Sequence, residues 1–258
     1  MVPRPKGTST GPKLFEQRRL ELGQSFQDGG EHYERVRPGY PADSADWLIP
    51  DGAHDGADVG AGTGKFTALL VERGLAVSAV DPSSDMLSQL RKAYPQVNAL
   101  EGTAEATGLA DSAFDVVSVA QAWHWFDPLA ASKEAARILR PRGVIGLVWN
   151  QLDTSVPWVH RLSRIMHAGD VHKPDFRPAI GPEFTGLESH LTRWEDPVTP
   201  EDLLELVKSR SYYLRANDVT RAKVMGNLQW YLFEHLGHVD GDVLMLPYLT
   251  QSWRARKA

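Results

Sequence analysis

Asp58-Val59-Gly60-Ala61-Gly62-Thr63-Gly64-Lys65 stands where an apolar run, Ala57 to Gly60, gives way to an amphipathic one, Phe66 to Arg73. It therefore reads as a β-strand turning into a helix. Glycines at such a turn permit a tight backbone and let a ligand approach with no Cβ in the way. One strand-helix-strand unit later, Ala79-Val80-Asp81-Pro82 closes a second apolar run on an acid. An acid at that point can accept hydrogen bonds from both hydroxyls of a ribose. Taken singly, the glycines are an ordinary turn and Asp81 a solvated loop acid. Together, at this separation, they point to a bound nucleoside.

The third glycine decides between nucleosides. A dinucleotide fingerprint, G-x-G-x-x-G, would put glycine at 65, but the chain has Lys65 and reads G-x-G-x-G. Asp58 adds negative charge beside the loop, which would repel a pyrophosphate and suits a ligand bearing an ammonium and a sulfonium. Both features favour S-adenosylmethionine over a nicotinamide dinucleotide. A Walker-type phosphate loop is excluded, because no G-x-x-x-x-G-K-[ST] occurs.

Outward from the loop, short apolar runs alternate with amphipathic stretches, the pattern of βαβ units around a parallel sheet. Strands are predicted at Ala57 to Gly60, Ala76 to Val80, Val97 to Glu101, Asp115 to Ala120 and Val144 to Trp149. Helices are predicted at Phe66 to Arg73, Ser84 to Ala93 and Leu129 to Leu139, the last stopped by Arg140-Pro141-Arg142-Gly143. The fold class is α/β, doubly wound and Rossmann-like. Residues 1–13, with Pro and Gly and no apolar periodicity, read as a flexible tail. One domain follows over 14–258: lead-in helices to 50, a cofactor-binding half over 51–150, and an insertion with the C-terminal elements over 151–258. In the last part, helices are predicted at Trp158 to His167, Pro200 to Ser211 and Thr220 to Leu236. Gly169 to Gly186 reads as loop, and strands are predicted at Leu191 to Glu195 and Val243 to Tyr248.

The run from Asp58 to Asn150 resembles class I S-adenosylmethionine-dependent methyltransferases, in particular the small-molecule branch similar to trans-aconitate methyltransferase. The resemblance rests on several motifs in order. They are the glycine loop, Val80-Asp81-Pro82-Ser83, Gly102-Thr103-Ala104-Glu105, Ser112-Ala113-Phe114-Asp115-Val116-Val117, Ala120-Gln121-Ala122-Trp123-His124-Trp125-Phe126 and Leu139-Arg140-Pro141-Arg142-Gly143. Arg142 departs from the pattern, which usually has glycine there. The resemblance extends weakly to Tyr33 with Arg37-Pro38-Gly39-Tyr40-Pro41, and to Leu246-Pro247-Tyr248. It implies seven strands with the last antiparallel, and S-adenosylmethionine as methyl donor with S-adenosylhomocysteine as product. It also implies Asp58 and Gly60 to Gly64 around the methionine part, Asp81 on the ribose, Ala104 and Glu105 beside the adenine, and Gln121 with Ala122 lining the donor. Pro82, Met86, Thr103, Tyr33 and Arg37 complete the cofactor set.

The acceptor side is less legible. Trp123-His124-Trp125-Phe126 follows the fourth strand, at the carboxyl edge where such sheets collect ligands. His124 could serve as a general base while Trp123, Trp125 and, from the insertion, Trp158 contact substrate. His124 could equally pack beneath the insertion, since displacement from a sulfonium onto a carboxylate needs no base. The expected activity is methyl transfer to a small organic acceptor, with O-methylation of a carboxylate or hydroxyl favoured. The alternatives are a non-catalytic S-adenosylmethionine-binding module and, further off, a nicotinamide-dependent oxidoreductase.

Composition sets the remaining bounds. Of 258 residues, 28 are Lys or Arg and 33 are Asp or Glu, so the net charge of −5 makes nucleic acid a poor partner. No apolar run is long enough to span a membrane and the N-terminal stretch lacks a signal h-region, so a cytoplasmic monomer or homodimer is expected. Cysteine is absent, which removes disulfides and thiolate chemistry. The histidines lack ligand spacing, and no metal is expected.

Overall fold

The computed structural model describes residues 30–167, 172 and 175–258. The expected tail and the first part of the lead-in, residues 14–29, lie outside the described residues.

Among the described residues, two short helices, α1 (Gly30–Val36) and α2 (Ala42–Leu48), precede the sheet. The chain then alternates β1 (Asp55–Val59), α3 (Lys65–Glu72), β2 (Ala76–Asp81), α4 (Ser84–Ala93), β3 (Asn98–Glu101), β4 (Phe114–Ala120), α5 (Pro128–Ile138) and β5 (Leu139–Leu152). It continues with α6 (Pro157–Ile165), β6 (Phe184–Val198), α7 (Pro200–Lys208), α8 (Ser211–Arg215), α9 (Asp218–Gln229) and β7 (Leu244–Lys257). The seven strands form one sheet in the order β3-β2-β1-β4-β5-β7-β6. Strands β1 to β5 pair in parallel, while β7 runs antiparallel between β5 and β6. This is the expected Rossmann-like sheet with its last strand reversed.

Alternation along the strands divides the apolar residues between the two faces. Ala57, Val59, Val117, Val119, Ile145 and Leu147 pack toward α5. Val77, Ala79, Val116 and Val148 pack with Leu48, Phe66, Leu70 and Leu87 from α2, α3 and α4. A third cluster gathers Leu162, Leu203, Leu206, Leu228 and Tyr231 onto Leu152, Leu246 and Tyr248, fastening a helical cover over the ends of β5 and β7. Helix starts follow local chemistry. Asp127 caps α5 by accepting from the backbone N–H of Leu129 and Ala130, and Thr199 and Asp202 form a capping box on α7, each ahead of a proline in the first turn.

The second half departs from the expected boundaries. The helix expected over Pro200 to Ser211 breaks at Ser209-Arg210, and the helix expected to end at Leu236 finishes in a π-helical turn, Trp230–His235. Strands β6 and β7 run 15 and 14 residues, far beyond their apolar centres, because their cross-strand pairing carries polar residues on both outer segments. The expected stop at Arg140 to Gly143 is a bulge within β5, where the pairing jumps from Phe114 with Leu139 to Val116 with Val144. Arg142 sits there with φ 68°, in the region that favours glycine.

The sheet reverses its build direction between β1 and β4, and the carboxyl ends of these strands open a crevice. Gly60 follows β1 and Gln121 follows β4, so the two motifs singled out in the sequence meet at that switch point.

Candidate functional site

The glycine loop is held by its neighbours on β2. Gly60 and Ala61 donate their N–H groups to the Val80 carbonyl at 2.7 and 3.1 Å. Gly62 donates to Asp81 Oδ2 at 2.9 Å, and Ser83 donates to Asp81 Oδ1 at 2.8 Å. Asp81 thus braces both the loop and the start of α4. Gly60, Gly62 and Gly64 all adopt positive φ, at 72°, 56° and 96°. Two of them are also sterically enclosed, since a Cβ on Gly60 would lie 2.6 Å from Ala122 Cβ and one on Gly64 would lie 3.0 Å from Leu90 Cγ.

Asp58 is buried beneath the loop, accepting from Thr67 Oγ1 at 2.6 Å and from Ser118 Oγ at 2.8 Å. Burial pushes its carboxyl up to about 6 in spite of those two hydroxyls. Burial likewise raises Asp81, against the pull of the Ser83 and Gly62 N–H groups.

A cleft open to solvent lies in front of the loop. Its lining includes Asp58, Gly60, Ala61, Gly62 and Thr63 from the loop, Gln121, Asn150, Gln151 and Leu152 from the ends of β4 and β5, and Arg37, Tyr40, Arg210 and Tyr248. Thr63 is only 3% exposed, and its hydroxyl has no hydrogen-bond partner among the described residues. An unpaired buried hydroxyl aimed at a cavity suits a polar ligand. Gln121, at φ 55°, donates Nε2 to the Asn150 carbonyl at 2.9 Å. Asn150 in turn donates Nδ2 to the Gly39 carbonyl at 2.7 Å and accepts from Thr250 Oγ1 at 2.6 Å. The lead-in beside the cavity is also held by Lys65 Nζ to the Glu34 carbonyl at 2.7 Å and by Arg37 Nη2 to the Ser209 carbonyl at 2.9 Å.

The sequence-predicted residues fall into three groups. Asp58, Gly60, Ala61, Gly62, Thr63, Gln121 and Arg37 line the cavity, with Gly64, Asp81 and Ala122 packed behind or beside the loop. Pro82, Met86, Thr103, Ala104 and Glu105 sit past the ends of β2 and β3 and outside that cavity. Met86 and Ala104 are buried, and Glu105 Oε1 accepts from the Asp127 N–H at 2.9 Å. Tyr33 lies on α1, with its side chain outside what is described.

The third group is the acceptor set, and none of it lines the cavity. His124 is exposed, with its ring 4.5 Å from that of Trp125. Trp123 is buried and donates Nε1 to the Ala179 carbonyl at 2.9 Å. Trp158 belongs to the cluster of the helical cover, where its carbonyl accepts from Tyr231. In the place of these residues, the cavity takes Asn150, Gln151, Arg210 and Tyr248, which sequence reasoning did not single out as site residues. Asn150 and Gln151 were accessible to it, since they lie at the carboxyl end of β5 where ligands gather. Arg210 carried no local signal. Among the described residues no group of side chains could hold a metal, and no helix is long and apolar enough to cross a membrane.

A methyltransferase domain model matches residues 57–147. Over 241 residues the chain is 44% identical to an uncharacterized methyltransferase of Mycobacterium tuberculosis (strain ATCC 25618 / H37Rv), covering 93% of this chain and 98% of the relative. The chain belongs to the methyltransferase family. A solved structure from Anaeromyxobacter dehalogenans, described as a candidate type II methyltransferase, superposes on this methyltransferase with a TM-score of 0.65 at 25% identity, covering 86% of this chain and 97% of the other. A phosphoethanolamine N-methyltransferase of Haemonchus contortus, solved with S-adenosylhomocysteine and phosphomonomethylethanolamine, shares the fold at a TM-score of 0.52 and 14% identity, covering 95% of this chain and 60% of that one.

Proposed function

We propose that this methyltransferase takes its methyl group from S-adenosylmethionine and passes it to a small organic acceptor by O-methylation. The observation that carries the reading is the cavity at the switch point, walled by the glycine loop, with the unpartnered Thr63 hydroxyl and the buried Asp58 at its edge. The donor supplies an electrophilic methyl on a sulfonium, and this chain's residues bind and orient it. The glycine loop and the Thr63 hydroxyl face the methionine part, and Asp58 offers a carboxylate to positive charge. Each oxygen of Asp81 accepts one backbone N–H, from Gly62 or from Ser83, and keeps a further lone pair for a ribose hydroxyl. Ala104, Glu105 and Met86 flank the adenine side.

A carboxylate acceptor fits this arrangement best, because it needs no base and His124 stands outside the cavity wall. A hydroxyl acceptor would call on His124 as its general base. The protein should act as a monomer or homodimer in the cytoplasm, with no nucleic-acid or membrane partner. The test is isothermal titration with S-adenosylmethionine and S-adenosylhomocysteine, followed by transfer of labelled methyl to small acids and alcohols. Binding of a nicotinamide dinucleotide with no binding of either adenosyl ligand would overturn the reading, and donor binding without transfer to any acceptor would leave a binding module.

A further inference from the structure

The helical cover carries a second cleft, which shares no lining residue with the one before the glycine loop. Helix α6 puts Val159, Leu162 and Met166 into the third apolar cluster, together with Val224 and Leu228 of α9. Helical spacing leaves His160, Arg161 and Arg164 on the outer face of α6, where all three are exposed. Lys223 and Asn227, one turn apart on α9, line the same cleft, as do Tyr212 of α8 and His167 just past α6. The rings of His167 and Tyr212 stack with their centroids 4.1 Å apart.

Charge sets this cleft apart. The chain carries a net −5, yet the lining holds Arg161, Arg164 and Lys223 and no Asp or Glu. Among the described residues the side chains of Arg164 and Lys223 form no ion pair or hydrogen bond. Asp218, the acid nearest to Lys223 in sequence, is turned to Arg221 at 3.5 Å. Arg161 is held by rings instead of by an acid. Its guanidinium stands 5.3 Å from the Trp230 ring centroid and 5.2 Å from that of Tyr231, and its Nη1 lies 3.3 Å from His235 Nε2. All three partners come from the π-helical turn Trp230–His235, a rare conformation that gathers at functional positions. Rings fix a guanidinium without neutralising it. Three cations gathered in one hollow repel one another until an anion joins them. The concave shape suits a small ligand better than a flat protein face, and two guanidinium forks on one helix with an ammonium on the next match the several oxygens of a phosphate.

We infer that the cleft between α6, α8 and α9 is a second binding site, for a phosphate-bearing small molecule, contacted by Arg164 and Lys223 with Arg161 fixed beside them. The inference stands independently of the donor reading. Helix α8 borders both sites, since Arg210 just before it lines the cleft of the glycine loop and Tyr212 within it lines the second.

The experiment is isothermal titration of the full chain with pyrophosphate at physiological ionic strength, where weak surface attraction is screened. Binding should be saturable, and Arg164→Gln and Lys223→Gln should each weaken it at least tenfold. Arg164→Lys, which keeps the charge, should recover part of the loss. Lys92→Gln, at an exposed cation on α4, should stay within threefold of the unsubstituted protein. Saturating S-adenosylhomocysteine should likewise leave pyrophosphate affinity within threefold. Displacement of pyrophosphate by S-adenosylhomocysteine would place it in the other cleft and overturn the inference, as would the absence of saturable binding or an equal loss in Lys92→Gln. Binding of polyglutamate without binding of pyrophosphate would also overturn it, and would mark the patch as the seat of an acidic protein. Failure of S-adenosylhomocysteine to bind would strike at the donor reading alone, and the Arg164 and Lys223 variants would still decide the second site.

Discussion

A Cβ placed on Gly60 would come within 2.6 Å of the Ala122 Cβ, so the turn after β1 and the turn after β4 touch through the absence of a side chain. The same atom would stand 3.0 Å from Phe126 Cζ, and the residue holds φ 72°. Gly60→Ala therefore has to move the β4 turn that carries Gln121, at a cost of about 1–3 kcal/mol from overpacking alone. Gly62→Ala is the control, since it meets nothing within 4 Å and incurs only the left-handed strain of φ 56°, about 1–2 kcal/mol. Urea denaturation should find Gly60→Ala the less stable of the two, with donor affinity reduced at least tenfold. Equal stability and affinity for the two variants would show that the Gly60 contact does not shape the site.

Asp81 works on the protein before it works on a ligand. Its two oxygens hold the N–H groups of Gly62 and Ser83, and hydrogen bonds to a charged partner contribute about 1.5–3 kcal/mol each. Asp81→Ala should therefore lower the melting temperature and weaken S-adenosylmethionine binding at least tenfold. A variant that loses stability but binds as tightly as before would move the ribose contact to another residue.

Asp58 gives donor binding a pH dependence whose sign is set by burial. With its carboxyl pushed up to about 6, Asp58 is mostly protonated at pH 5 and mostly ionised at pH 7.5. A donor carrying a sulfonium and an ammonium favours the ionised form, so its affinity should rise with pH through about 6, by about tenfold between those values. In the unliganded protein the same raised pKa acts the other way. The folded state loses stability as pH climbs from the ordinary carboxyl range through about 6. Asp58→Asn should flatten the affinity profile, and isothermal titration across pH 5 to 7.5 reads it directly. A flat profile in the unsubstituted protein would remove Asp58 from the donor's surroundings.

The parallel half of the sheet was legible because its central strands are buried on both faces and read as apolar runs, as with Val116 to Ala120 or Val144 to Trp149. Strands β6 and β7 were underestimated for the opposite reason. Along β6 half-buried and exposed residues alternate from Ser189 to Val198, so pairing with β7, and not apolar content, extends it. The loop half of the site was legible because glycine spacing and Asp81 are local in sequence. The rest of the lining was not, apart from Arg37 in its proline turn, since Asn150, Arg210 and Tyr248 come from distant segments brought together by the third apolar cluster, the Asn150 hydrogen bonds and the Arg37 bond to the Ser209 carbonyl. The aromatic run at Trp123 to Phe126 misled in a specific way. A position just past a strand's carboxyl end placed His124 near the crevice, but the chain turns there through a single 3-10 helical turn that buries Trp123 and leaves His124 exposed.

His124 consequently separates the two O-methylation readings. With a carboxylate acceptor the nucleophile is already ionised at neutral pH, the carbon–oxygen bond forms as the carbon–sulfur bond breaks, and no proton moves. His124→Ala should then change the maximal rate less than threefold, leave donor affinity alone, and cost little stability, since the side chain is exposed. With a hydroxyl acceptor the proton must go to a base, and the same substitution should lower the rate by about 10² to 10⁴, with the deficit shrinking as pH rises. The geometry favours the first outcome. Steady-state kinetics of the variant on the best acid and the best alcohol, each at saturating donor, decides it. A hundredfold loss of rate on an acid would contradict the base-free reading and bring His124 into the site.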